Sequence, residues 1–102
     1  PTRNARNGQL FTNEGTINIV NSKYKHDISP IDENSSITFA KEYSKSYLRY
    51  LFQINEILGI RIATLINIAY YFDLMNQIKF EINNHTFVKW SEDYLEKYEN
   101  SK

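Results

Sequence analysis

The chain predicts a small α+β segment, a short antiparallel β-hairpin plus about three helices. Three observations carry that prediction. Leu10 to Val20 holds two short runs of branched and aromatic residues around a glycine turn. Lys41 to Leu58 and Arg61 to Ile82 place apolar residues at three- and four-residue steps. The 102 residues, 41% hydrophobic and 15% aromatic, suffice for one modest core. No internal repeat or low-complexity linker divides the chain, so residues 1–102 read as one unit.

Pro1 and Gly8 punctuate residues 1–9 as a loop carrying Arg3 and Arg6, with no acidic residue before Glu14. Two guanidinium forks in such a loop suit phosphates and base edges. Residues 10–20 follow as the hairpin, with strands Leu10-Phe11-Thr12 and Thr16 to Val20. Gly15 in the turn is free to take positive φ, and alternation puts Ile17 and Ile19 on one buried face. Asn21 to Ser36 has no sustained period and reads as loop. In the first helix, Lys41 to Leu58, the stripe is Tyr43, Tyr47, Tyr50, Leu51, Ile54, Ile57 and Leu58, and Gly59 is the expected stop. The second, Arg61 to Ile82, carries Ile62, Leu65, Ile66, Ala69, Phe72 and Ile78. Asn83 to Thr86 breaks it, and Thr86 caps a third helix to Tyr98 with Phe87, Trp90, Tyr94 and Tyr98 on its stripe.

Formal net charge is zero, so nothing global draws the chain to nucleic acid or membrane. Residues 1–26, however, hold Arg3, Arg6, Lys23 and Lys25 against Glu14 alone, so a polyanion site is expected near the N-terminus. The absence of cysteine excludes a disulfide framework and a cysteine zinc site. No uninterrupted apolar run approaches the ~20 residues of a membrane span, and no signal-peptide pattern occurs. The chain opens on proline and its one methionine is Met75, from which we expect a segment of something longer.

Self-contained catalytic chemistry is not legible. His26 and His85 lie far apart without partner spacing and read as surface or turn residues. The adjacent acids Asp32/Glu33 and Glu92/Asp93 lack the apolar framing that would split their pKa values, and read as solvated. Neither a nucleophile elbow nor a glycine-rich phosphate cradle is present. Tyr43, Tyr47 and Tyr50 read first as core packing and second as a subunit contact, where aromatic residues are enriched.

The wording of the first loop, PTRNARNG, followed by Leu10-Phe11 and Thr16-Ile17-Asn18-Ile19, resembles the C-terminal part of the tRNA-guanine transglycosylases, or queuine tRNA-ribosyltransferases. The resemblance continues through Asn21-Ser22-Lys23-Tyr24, Pro30-Ile31-Asp32, Asn55-Glu56-Ile57-Leu58-Gly59, Asn67-Ile68, Tyr70-Tyr71 and Leu74-Met75. It implies a cytoplasmic (β/α)8-barrel enzyme with a zinc-binding subdomain near its C-terminal end, here residues 21–59, and C-terminal helices, here 60–102. Such an enzyme exchanges guanine at the tRNA wobble position for a 7-deazaguanine in queuosine biosynthesis. An aspartate nucleophile forms a covalent tRNA intermediate that the incoming base displaces, and the target nucleotide leaves its stack. By the same resemblance the catalytic aspartates lie upstream of Pro1. Thr2, Arg3 and Arg6 contact the anticodon loop of a tRNA bearing wobble guanine, and the zinc-subdomain region supports a homodimer.

The family's zinc ligands, three cysteines and a histidine, fall at Ser35, Ile37, Ala40 and Ile66. Replacement of the metal by a small apolar contact is therefore expected, leaving the segment with neither cofactor nor catalytic residue. Two alternatives stand beside this reading: a non-catalytic tRNA-binding or protein-interaction paralogue, and a decaying gene fragment. No membrane association is expected.

Overall fold

A computed structural model of the chain describes residues 2–100, apart from the side chains of Thr2 and Asn100. Its elements are α1 (Thr2–Arg6), β1 (Gln9–Thr12), β2 (Gly15–Asn18), α2 (Thr38–Glu42), α3 (Lys45–Gln53), α4 (Ile57–Asn83) and α5 (Phe87–Asn100). The architecture is α+β, with a two-stranded antiparallel hairpin and five α-helices among the described residues. The molecule is elongated, 47 × 23 × 23 Å, because the 27 residues of α4 form a rod of about 40 Å.

The hairpin forms where expected. Register runs from Gln9↔Asn18 to Thr12↔Gly15, leaving Asn13-Glu14 as a two-residue turn, and Gly15 takes φ 120. Leu10 and Ile19 are fully buried, while Ile17 packs against the core only in part. The turn is clamped from outside: one carboxylate oxygen of Asp32 accepts from the Asn13 backbone N–H at 2.9 Å and its side-chain amide at 3.1 Å. Asp32 is itself only 2% exposed, which corrects its reading as a solvated acid.

The first long helix of the sequence reading is in fact two, α2 and α3. Ser29 to Ile31 runs alongside Tyr43 to Lys45, with Ile31 N–H donating to the Tyr43 carbonyl and Lys45 N–H to the Ser29 carbonyl. Those bonds require extended backbone at Tyr43 and Ser44, so the helical ladder is interrupted there. Ser44 then caps α3, its hydroxyl accepting from Tyr47 N–H at 3.1 Å. The α3 helix ends earlier than expected, at Gln53. Asn55 adopts φ 55, Glu56 N–H donates to Leu51 and Asn55 N–H to Phe52, a Schellman closure. The end of α4 closes in the same way, with His85 at φ 59.

Gly59 is thus not a stop but lies in the first turn of α4. A Cβ there would stand 3.0 Å from Leu51 Cβ and 3.2 Å from Phe52 Cδ1, so glycine lets α4 approach α3 closely. The core-facing stripe of α4 is Gly59, Ile62, Ala63, Ile66, Asn67 and Tyr70. Leu65 and Phe72, assigned to that stripe from sequence, are exposed instead. By length and composition α4 could also cross a membrane, which counting uninterrupted apolar runs did not reveal. Ile62, Ala63 and Ile66 nevertheless join Ala5, Leu10, Ile19, Ile31, Leu48 and Leu51 in one core cluster.

Asn67 is fully buried on α4 and grips the outer edge of β1. Its Oδ1 accepts from Phe11 N–H at 2.9 Å and its Nδ2 donates to the Gln9 carbonyl at 3.0 Å. The side-chain amide thereby acts as a third strand for an edge that would otherwise be left unpaired. Asn67→Leu keeps the branching and heavy-atom count but strands both backbone groups, so it should lower unfolding free energy by ~2–4 kcal/mol. Urea denaturation measures this, and a loss under ~1 kcal/mol would contradict the assigned bracing role.

Candidate nucleic-acid interface

The arginine segment is not a loop, as the Pro1/Gly8 punctuation suggested, but just over one helical turn. Ala5 is fully buried and α1 lies against α4 and β1. Gly8 ends the turn at φ 80, where a Cβ would meet Val20 Cγ1 at 3.2 Å, and its carbonyl accepts from Ile19 N–H at 2.9 Å. Packing of the small Ala5 against the core therefore rotates Arg3 and Arg6 outward. They are three positions apart, hence neighbours on one helix face, and both are exposed.

Among the described residues, no hydrogen bond or ion pair engages either guanidinium. The nearest acid in sequence, Glu14, is turned to the buried Lys45 at 3.9 Å. The two forks are left available for phosphate oxygens or base edges. Pro1 lies outside the described residues, as does the side chain of Thr2, the third residue assigned to this contact. The arrangement can bind polyanion, and α1 carries no carboxylate to oppose it.

The four positions that the resemblance assigns to zinc ligands lie in or beside the interior. Ala40 and Ile66 belong to the central cluster, Ile37 packs against it, and Ser35 is 4% exposed. The Ser35 hydroxyl already accepts from Ile37 N–H at 3.2 Å. One hydroxyl and three hydrocarbon side chains do not fit a borderline-soft cation that takes thiolate and imidazole. Among the described residues, no group of three or more His, Cys, Asp or Glu could hold a metal.

Tyr43, Tyr47 and Tyr50 are 40%, 39% and 55% exposed, which overturns their default reading as core. Leu48 and Leu51 fill the interior side of α3 instead. The Tyr43 ring, from the segment just before α3, meets the Tyr47 ring of α3 at 5.3 Å on the exposed side. His26 and His85 are both exposed.

Sequence reasoning missed a groove of about 850 Å³ between α4 and α5, lined by Tyr70, Trp90, Tyr94 and Tyr98 with Asp73 and Lys97 among its polar groups. Trp90, Tyr94 and Tyr98 stack in series at 5.3 and 5.4 Å, their four-residue spacing being the available signal. The Tyr70 and Tyr94 hydroxyls are hydrogen-bonded, and burial raises both phenols above the ordinary tyrosine range. Asn67 and Lys45 were also missed, because a polar residue within an apolar helix face gives no periodic signal.

Comparison with known proteins matches residues 1–100 to the family model described as queuine tRNA-ribosyltransferase. A queuine tRNA-ribosyltransferase of Desulforapulum autotrophicum is 43% identical over 99 residues, covering 97% of this chain and 27% of the relative. Those of Francisella tularensis subsp. novicida and subsp. tularensis are 44% identical over 98 residues, covering 96% of this chain. The chain spans 27% of the length of each of these relatives.

Proposed function

This chain belongs to the queuine tRNA-ribosyltransferase family, and from that premise we propose that it supplies the anticodon-loop contact of an enzyme exchanging wobble guanine for a 7-deazaguanine. The observation that carries the reading is the pair Arg3 and Arg6, exposed and uncommitted on one turn of a helix anchored by Ala5. Arginine donors on a fixed backbone meet phosphate oxygens with little further ordering cost, and charge-assisted hydrogen bonds are the stronger class. We assign no catalytic group to residues 1–102; the carboxylate chemistry belongs to the part of the family polypeptide that this chain does not span.

Fluorescence anisotropy with an anticodon stem–loop bearing wobble guanine tests the role of the arginines. Arg3→Ala and Arg6→Ala should each weaken binding roughly tenfold while leaving thermal stability unchanged. The slope of log K against log salt should become shallower by about 0.7 for each phosphate that is no longer neutralised. Affinity in both variants unchanged from that of the parent chain would sink the proposal.

We further propose that the chain holds no structural zinc and that Ile37, Ala40 and Ile66 occupy its place. Structural zinc contributes on the order of 10 kcal/mol, whereas burying one isoleucine contributes about 2 kcal/mol. The region is accordingly held by many modest contacts rather than by one strong site. Elemental analysis should find substoichiometric zinc, and a chelator should leave the melting temperature unmoved. One tightly held zinc per chain would show the ligand positions to be misassigned.

The exposed tyrosines support homodimerisation through α3, since aromatic side chains are enriched at subunit contacts. In sedimentation equilibrium the mass should rise with concentration and revert to monomer in Tyr47→Asp/Tyr50→Asp. A monomer at every concentration, or a dimer indifferent to that variant, refutes it.

A further inference from the structure

Asn7 stands between Arg6 and Gly8, and no other asparagine among residues 1–102 precedes a glycine. That pairing carries its own chemistry. A backbone nitrogen can close a five-membered ring on the side-chain amide of the residue before it, and a Cβ on the attacking residue hinders the closure. Gly8 has none, and the fold keeps it so: its φ is 80, and a Cβ would stand 3.2 Å from Val20 Cγ1. Asn7 is exposed, and among the described residues no hydrogen bond holds its side-chain amide.

Two features oppose the ring closure. Gly8 is buried, and its N–H donates to the Ala5 carbonyl at 3.0 Å. That bond closes the last turn of a five-residue helix, where local opening is cheapest. Releasing one such bond slows the step by roughly two- to tenfold relative to an unfolded chain. The turn therefore delays the reaction without preventing it.

We propose that Asn7-Gly8 is a site of spontaneous deamidation that switches off the arginine pair. The Gly8 nitrogen, its proton passed to hydroxide, attacks Asn7 Cγ. The new C–N bond closes a succinimide, and the side-chain nitrogen leaves as ammonia. Water then opens the ring at either carbonyl. The net change turns an amide and water into a carboxylate and ammonium, so neither oxidant nor enzyme is required. Opening at Cγ leaves aspartate, whereas opening at the backbone carbonyl leaves isoaspartate, with one extra methylene in the main chain.

Either product acts on the arginines. A carboxylate at position 7 directly follows Arg6 and lies four residues from Arg3, the spacing of helical ion pairs. It offers both guanidinium groups an internal partner in place of phosphate, where α1 had carried no acid. The lengthened backbone of the isoaspartate also draws on the 2.9 Å bond from Ile19 N–H to the Gly8 carbonyl, which carries α1 on the hairpin. The loss of binding rests on the proposed RNA contact; the deamidation does not.

The test incubates the chain at mildly alkaline pH for weeks, beside the free peptide of residues 1–12 and the Asn7→Ala chain. Peptide mass spectrometry should find about 1 Da added at Asn7, as aspartate and isoaspartate, at a rate roughly two- to tenfold below that of the free peptide. Anticodon stem–loop affinity of the parent should fall in step with the converted fraction, while the aged Asn7→Ala chain keeps its own starting affinity. Freshly made Asn7→Asp should bind roughly two- to fivefold more weakly than the parent. No conversion in the folded chain while the peptide converts, or conversion centred on another asparagine, overturns the proposal. Asn7→Asp binding as tightly as the parent overturns the switch. Should Arg3→Ala and Arg6→Ala also bind like the parent, the arginine reading fails while the mass result still decides the modification, so the two failures are told apart.

Discussion

The structure turns on the side-chain amide of Asn67. A two-stranded hairpin is marginal alone, because each strand has an unpaired edge and only one face to bury. Asn67 supplies both a donor and an acceptor to the free edge of β1, at 3.0 and 2.9 Å, from a fully buried position on the longest helix. Those bonds fix the height and register of the hairpin along α4. Leu10 and Ile19 are then delivered to the same cluster as Ile62 and Ile66.

Everything bearing on function hangs from that docking. The Gly8 carbonyl accepts from Ile19 N–H, so α1 is carried on the hairpin, and buried Ala5 sets which way Arg3 and Arg6 point. On the other end, Asp32 clamps the turn at Asn13. Lys45 donates to the Ser29 hydroxyl and the Pro30 carbonyl, tying the 29–32 segment to the start of α3. Buried polar groups thus organise this small core as much as its hydrocarbons do, each paired, as burial demands.

Hydrophobic packing holds the turn around Ser35 to Ala40 against α4: Ala40 and Ile66 share the central cluster, Ile37 packs against it, and Ser35 commits its hydroxyl to the local backbone. This arrangement depends on continuity with the rest of the core, which the long α4 provides. The same helix leaves a second apolar face open, with Leu65, Phe72 and Met75 exposed.

By itself the sequence determined the α+β class, the hairpin with its glycine turn, the two later helices to within a few residues, and the arginine pair. These are local matters: alternation, helical periodicity and turn chemistry are written in neighbouring residues. The wording of the first loop and of the NEILG segment carried the family. Only the tertiary structure decided the rest. Tyr43 and Ser44 are extended because the distant Ser29 to Ile31 segment pairs with them, overriding a continuous helical period. Residues 2–6 became a helical turn because Ala5 had a core to enter. Phe72 and Ile66 are equally apolar, yet only Ile66 is buried, because α4 has two apolar faces and the hairpin, held by Asn67, covers just one. Periodicity reports which residues share a face; which face meets a partner is settled by contacts between segments far apart in the chain.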